Sequence, residues 1–181
     1  MRVSLLAAVA ALAAAPGSGA VISIGGSNAA QCYRAAEARR VFANDFLACD
    51  MALASEAIDA KNRAATLVNR GILYMVASQS ARAVQDFDAA IGLYPSEPES
   101  YLNKAIVAWN GGDSIAARQL AGRALDLNTR KPAFALYVRG MANEDQGNLS
   151  AAYADLRRAA ELAPAWRSPR LELARYRVTQ R

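Results

Sequence analysis

Residues 69–95, NRGILYMVASQSARAVQDFDAAIGLYP, decide the fold because their pattern returns twice. Asn69-Arg70-Gly71 aligns with Asn103-Lys104-Ala105 after 34 residues, and with Val138-Arg139-Gly140 after 35 more. The extra residue falls within 128–132. The same frame superimposes Ala83, Ala117 and Ala152, then Ala90, Ala124 and Ala159, then Ser78, Gly112 and Gly147. A fixed period of this length marks stacked units that cannot bury their apolar faces alone. Each unit reads as two helices, the first over 64–77, 97–111 and 133–146. The second starts near Ser80, Asp113 and Ser150, whose side-chain oxygens can cap free N–H groups. Small residues recur where two helices must cross closely, and Pro95, Pro98, Pro132 and Pro164 interrupt helical hydrogen bonding. The fold class expected is all-α, a helix-turn-helix solenoid.

The pattern resembles the tetratricopeptide repeat family, whose repeat places an aromatic, Leu-Gly, Tyr, Ala, Phe, Ala and Pro across 34 positions. Gly71, Tyr74, Ala83, Phe87, Ala90 and Pro95 match it in residues 64–97. Tyr101, Gly112, Ala117 and Ala124 match in 98–131, where Ala105, Ala108 and Ala121 replace the Gly, Tyr and Phe. Gly140, Gly147, Ala152, Ala159 and Pro164 match in 133–166. Residues 28–60, with Tyr33, Ala48, Ala52 and Ala57, read as a degenerate fourth hairpin. Where the family carries Leu, this chain has Arg70, Lys104 and Arg139. Ser168-Pro169 opens a C-terminal capping helix over 168–180, with Leu171, Leu173, Ala174 and Val178 on its apolar side.

Residues 1–20 read as a signal peptide: Arg2, an apolar run over 3–15, Pro16-Gly17, then small residues at Ser18 and Ala20, with cleavage expected after Ala20. The run is short of the ~20 residues needed to span a bilayer as a helix. The mature chain would begin with a flexible stretch, 21–27, and be exported to the periplasm. In that oxidising compartment Cys32 and Cys49 are expected to pair, a short loop closure worth roughly 3 kcal/mol. The alternative is two small helix residues that never meet.

The resemblance implies a concave groove lined by the first helices of the repeats. Carried over, it gives Val68, Ile72 and Met75, then Leu102, Ile106 and Trp109, then Phe134, Tyr137 and Met141, with Asn110, Glu144 and Asp145 at the rim. Helical spacing puts each set on one stripe. The expected partner is a protein offering an apolar helix or extended segment rather than a free carboxyl terminus. The alternative for part of this stripe is packing between helices.

Of the chain's 181 residues, 21 are Lys or Arg and 16 Asp or Glu, giving +5. Residues 157–181 hold seven Arg against two Glu, so the excess belongs to one end. Arg157, Arg158, Arg167, Arg170, Arg175 and Arg177 form a basic patch. The alternative function is a structural, envelope-associated protein that contacts acidic partners or anionic lipid through this patch. Nucleic acid is not expected as a partner, since few aromatics are interleaved with the cations. Peripheral membrane contact stays open, as does oligomeric state.

Catalysis is not expected. With no histidine the commonest general base is missing. Asp86 and Asp88 point to different sides of a helix, Glu144-Asp145 are adjacent rather than stacked, and Gly25-Gly26 lacks a strand-and-helix context for phosphate. No cofactor and no metal site are expected.

Overall fold

The computed structural model describes residues 19–21, 27–55 and 57–177. Most of the expected signal peptide and residues 22–26 lie outside the described residues. The helices are α1 (Ser27–Glu37), α2 (Ala43–Ser55), α3 (Ala60–Val76), α4 (Ser80–Leu93), α5 (Pro98–Asn110), α6 (Ser114–Asp126), α7 (Pro132–Asp145), α8 (Leu149–Leu162) and α9 (Ser168–Leu173). No strand occurs among the described residues. The chain packs as α1/α2, α3/α4, α5/α6 and α7/α8 hairpins, each against the next, and α9 closes the array against α8. This is the expected all-α solenoid.

The turn inside each repeat rests on one backbone conformation. Ser78, Gly112 and Gly147 all have left-handed φ, at 59°, 83° and 76°. The following amides then reach back to helix carbonyls: Gln79 N to Tyr74 O, Asp113 N to Ala108 O and Asn148 N to Asn143 O, at 2.8–2.9 Å. These bonds satisfy carbonyls that the helix end leaves free. Of the three caps expected from sequence only Asp113 caps, accepting from Ala116 N at 2.9 Å. Ser80 and Ser150 lie inside the first turns of α4 and α8, whose N-cap residues Gln79 and Asn148 make no side-chain cap bond. The left-handed residue reverses the chain so tightly that the serines fall one or two places too late. The helix at the C-terminal end runs over Ser168–Leu173, and residues 178–180 of the expected capping helix, Val178 among them, lie outside the described residues.

Helix crossings use the small residues. Ala83, Ala90, Ala117, Ala124, Ala152 and Ala159 have no accessible surface. Gly71 faces Phe87, where an added Cβ would stand 2.5 Å from the ring. Two apolar clusters result, one joining α1 to α4 around Phe87, Ile72 and Leu73, the other joining α5 to α7 around Leu102, Ile106 and Phe134.

The family's Leu position carries ion pairs. Arg70 donates from Nε and Nη2 to the two oxygens of Asp86 at 2.8 and 2.7 Å, and from Nη1 to Asp50 at 2.6 Å. Arg139 forks Asp155 the same way, at 2.8 and 2.7 Å. Both aspartates are buried. The hydrogen bonds to Asp86 hold the Arg70 guanidinium more firmly in its charged form than usual, and those to Asp155 do the same for Arg139.

Candidate functional site on the concave face

The first helices α3, α5 and α7 turn one row of side chains inward, and the row is more polar than the apolar stripe implies. Asn69 on α3 and Asn103 on α5, 34 residues apart, are both fully buried. Asn69 grips an extended piece of the chain itself. Val21 N donates to its Oδ1 at 2.8 Å, and its Nδ2 donates to Val21 O at 2.7 Å. One side-chain amide thus reads both backbone groups of one residue. The Val21 side chain is 5% exposed and packs in the α1–α4 cluster, although sequence put Val21 in a flexible stretch. Arg130, in the α6–α7 loop, donates to Ala20 O at 3.4 Å.

Beside this segment stands Glu99, in the first turn of α5 and 0% exposed. Its Oε1 accepts from Thr129 Oγ1 at 3.0 Å and from Arg130 N at 2.9 Å, with the Arg130 guanidinium at 3.5 Å. Among the described residues Glu99 Oε2, Ser100 Oγ and Asn103 Oδ1 have no hydrogen-bond partner. The Asn103 amide nitrogen is spent on Glu99 O at 2.8 Å, so its free oxygen is an acceptor. Gly19 packs directly on the Glu99 carboxylate, where a side chain would collide. Burial raises the pKa of neighbouring Glu97, which also lies within ion-pair reach of Arg130 at 3.9 Å.

Sequence reasoning missed this polar site. Two signals in the sequence point to it: the Asn repeated at 69 and 103, and Glu99 at helical spacing with Leu102 and Ile106 on an otherwise apolar stripe.

The nine residues expected to line the groove divide. Val68, Ile72, Leu102, Ile106 and Phe134 are buried in the two clusters. Met75, Trp109, Tyr137 and Met141 are half-buried, on the same face. Trp109 meets Tyr137 edge-on at 6.1 Å, and Tyr137 meets Trp166 at 4.8 Å. Trp109 Nε1 donates to Asp145 Oδ2 at 3.1 Å, which fixes the indole. Burial, with Glu172 adding to it, pushes the Tyr137 phenol up to about 12. A pocket of about 190 Å³ opens among Met75, Ile106, Val107, Asn110 and Phe134.

Cys32 and Cys49 lie on α1 and α2 with Cα atoms 4.9 Å apart and sulfurs within bonding distance. The basic patch is partly answered. Arg157 and Arg158 both reach Glu161, and Arg175 pairs with Glu144 and Glu172. Arg167, Arg170 and Arg177 are exposed. No group of residues among those described could hold a metal ion, and no described helix is long and apolar enough to cross a membrane.

A family profile described as tetratricopeptide repeat matches residues 135–165. No curated protein matches the sequence. Similar solved structures include the first TPR of Spaghetti (RPAP3) bound to HSP90 peptide SRMEEVD, 24% identical over 63% of this chain and 90% of that one, with a TM-score of 0.60. The Arabidopsis OM64 TPR domain is 23% identical over 64% of this chain and 95% of that one, TM-score 0.61. A MamA protein is 18% identical over 81% and 79%, TM-score 0.63. The profile match thus covers the third repeat, and the helical array as a whole has the fold of tetratricopeptide-repeat solenoids.

Proposed function

We propose that this chain is an exported, periplasmic module that binds another protein on its concave face and carries out no chemistry of its own. The observation that carries this reading is the two-point grip of Asn69 on Val21, because it is a way of holding any extended peptide irrespective of side chain. The RPAP3 domain, solved with an HSP90 peptide, gives a precedent for peptide capture on this fold. In this chain Asn69 is taken by Val21, so a partner segment docks on the remaining face, over Met75, Trp109, Tyr137 and Met141. Aromatic anchors fixed by neighbours lose little freedom on binding and dominate interface energies. Export also explains the cysteine pair: a Cys32–Cys49 bond ties the degenerate first hairpin together, and periplasmic protein denatured without reductant is expected to show no free thiol.

The test is in-cell crosslinking of the exported protein, wild type against Trp109→Glu. A central hot spot is worth ~2 kcal/mol or more, so capture is expected to fall by at least about tenfold with helicity and thermal midpoint retained. Unchanged capture by a folded Trp109→Glu protein sinks the groove reading. Recovery of the protein in the cytosolic fraction sinks export.

A further inference from the structure

Around Glu99 the groove holds buried polar atoms that its present occupant leaves unmatched. Val21 brings one peptide N–H, and Asn69 Oδ1 takes it. Glu99 Oε2, Ser100 Oγ and Asn103 Oδ1 stay unmatched on residues with no accessible surface. A buried acceptor without a donor is costly, more so if charged; Glu99 Oε2 and Asn103 Oδ1, one helical turn apart on α5, can only accept, while the Ser100 hydroxyl can also donate, so the cluster calls for a ligand. The missing ligand must be a multiple donor, and the fully buried carboxylate among the acceptors favours a cation. A primary ammonium supplies three donors.

We propose that this pocket is a receptor for the chain's own mature amino terminus. The inference rests on the export reading, specifically on cleavage between Ala20 and Val21. Before cleavage, Gly19 covers the Glu99 carboxylate and Arg130 holds Ala20 O. Hydrolysis of the Ala20–Val21 peptide bond, with water as co-reactant, leaves a carboxylate on Ala20 and an α-ammonium on Val21. Departure of residues 19–20 uncovers Glu99 Oε2. The Val21 side chain stays buried in the α1–α4 cluster and Asn69 keeps both its backbone contacts. The new ammonium keeps Asn69 Oδ1 and has two further protons for the unmatched acceptors. The charged groups around it are Glu99 and Glu97 from the start of α5, Arg130 from the α6–α7 loop and Lys61 on α3 near Glu97, with the Tyr33 phenol of α1 near Arg130. Arg130 is shared between the two carboxylates, which leaves the unmatched Glu99 oxygen for the ammonium.

The readout is selective acylation of the Val21 α-amine in chain processed at Ala20–Val21, whether by the exporting cell or by a site-specific protease acting on the full chain. Acylation needs the neutral, accessible amine, whose ordinary pKa is ~7.7–8.0. At pH 7 the folded protein is expected to react at least about tenfold more slowly than a free peptide of residues 21–30. Glu99→Gln is expected to recover a large part of that difference, and Asn69→Ala more. Blocking Val21 by acetylation is expected to lower the thermal midpoint by several degrees relative to the free amine. Peptide-like labelling of a folded wild-type protein overturns the proposal, and so does a Glu99→Gln rate equal to wild type together with an unchanged midpoint on acetylation. Amino-terminal sequencing separates the two readings. Export with cleavage at another bond overturns the receptor and leaves export standing, whereas failure to be exported overturns the reading on which it rests.

Discussion

The second repeat is built differently from the first and third, although all three share one backbone plan. In repeats one and three an Arg on the first helix forks a buried Asp on the second, Arg70 with Asp86 and Arg139 with Asp155. A Gly on the same first helix receives a large side chain, Phe87 on Gly71 and Leu156 on Gly140. In repeat two the Asp position holds Leu120 and the small–large pair becomes Ala105 with Ala121. Lys104, with Leu120 at the Asp position of its own repeat, turns back to Asp88 on α4. One position therefore does two jobs. It locks a helix pair internally in the outer repeats, with Arg70 also reaching Asp50 on α2, and in the middle repeat it serves only as a tie to the neighbour.

The locks should be the most costly features to remove. Arg70→Leu restores the family's usual residue yet strands Asp86, which is 5% exposed, without its forked partner. Removing one member of a buried pair costs ~3–5 kcal/mol, and the partly exposed guanidinium here brings the expected loss to about 2–4 kcal/mol. Arg139→Leu should behave alike. The double change Arg70→Leu with Asp86→Leu should recover most of that loss, because a packed apolar pair substitutes well for a buried ionic one. Urea unfolding of the set measures this. A single Arg70→Leu variant as stable as wild type would show the clamp to be ornamental.

The glycines offer a second cut between the two outer repeats. Gly71→Ala sets a Cβ 2.5 Å from Cε1 of Phe87, whose ring is fully buried and has nowhere to go. Overpacking costs ~1–3 kcal/mol against ~1 kcal/mol gained in helix propensity, for a net loss of about 1–2 kcal/mol. At Gly140 the first atom met is Leu156 Cγ at 3.1 Å, so a shift of a few tenths of an ångström suffices and the two effects should nearly cancel. Equal thermal midpoints for the two variants would mean that the Phe87 ring relocates.

These contrasts show what was legible in the sequence. The 34-residue step, the recurring Ala and Gly and the left-handed position at 78, 112 and 147 are local and periodic, and they made the solenoid readable. Arg70 and Arg139 were visible as departures from the family pattern, but each Asp partner lies 16 residues away on another helix, where no local rule links them. The concave site was harder still. Asn69 meets Val21 across 48 positions, through a segment whose composition reads as the end of a signal peptide. The groove stripe was carried over from the family resemblance, with helical spacing setting each face, and neither can tell a side chain open on that face from one sealed by the next helix. Hence Trp109 remains accessible where Leu102, half a helix away on the same stripe, does not.

The smallest expected effect sharpens the comparison most, since it asks what Lys104 adds. Its partner Asp88 is half exposed, and the pair spans α4 and α5 rather than closing a repeat. Exposed pairs contribute ~0–1 kcal/mol and are screened by salt, with a Debye length of about 3 Å at 1 M. Lys104→Met should therefore cost less than about 1 kcal/mol at low salt and close to nothing at 1 M. Arg70→Leu should keep nearly all of its cost at 1 M salt, because Asp86 is shielded from counterions by burial rather than by distance. If the Lys104→Met loss survives high salt and matches that of Arg70→Leu, the two repeats are held by the same kind of bond, and the division drawn between locking and tethering fails.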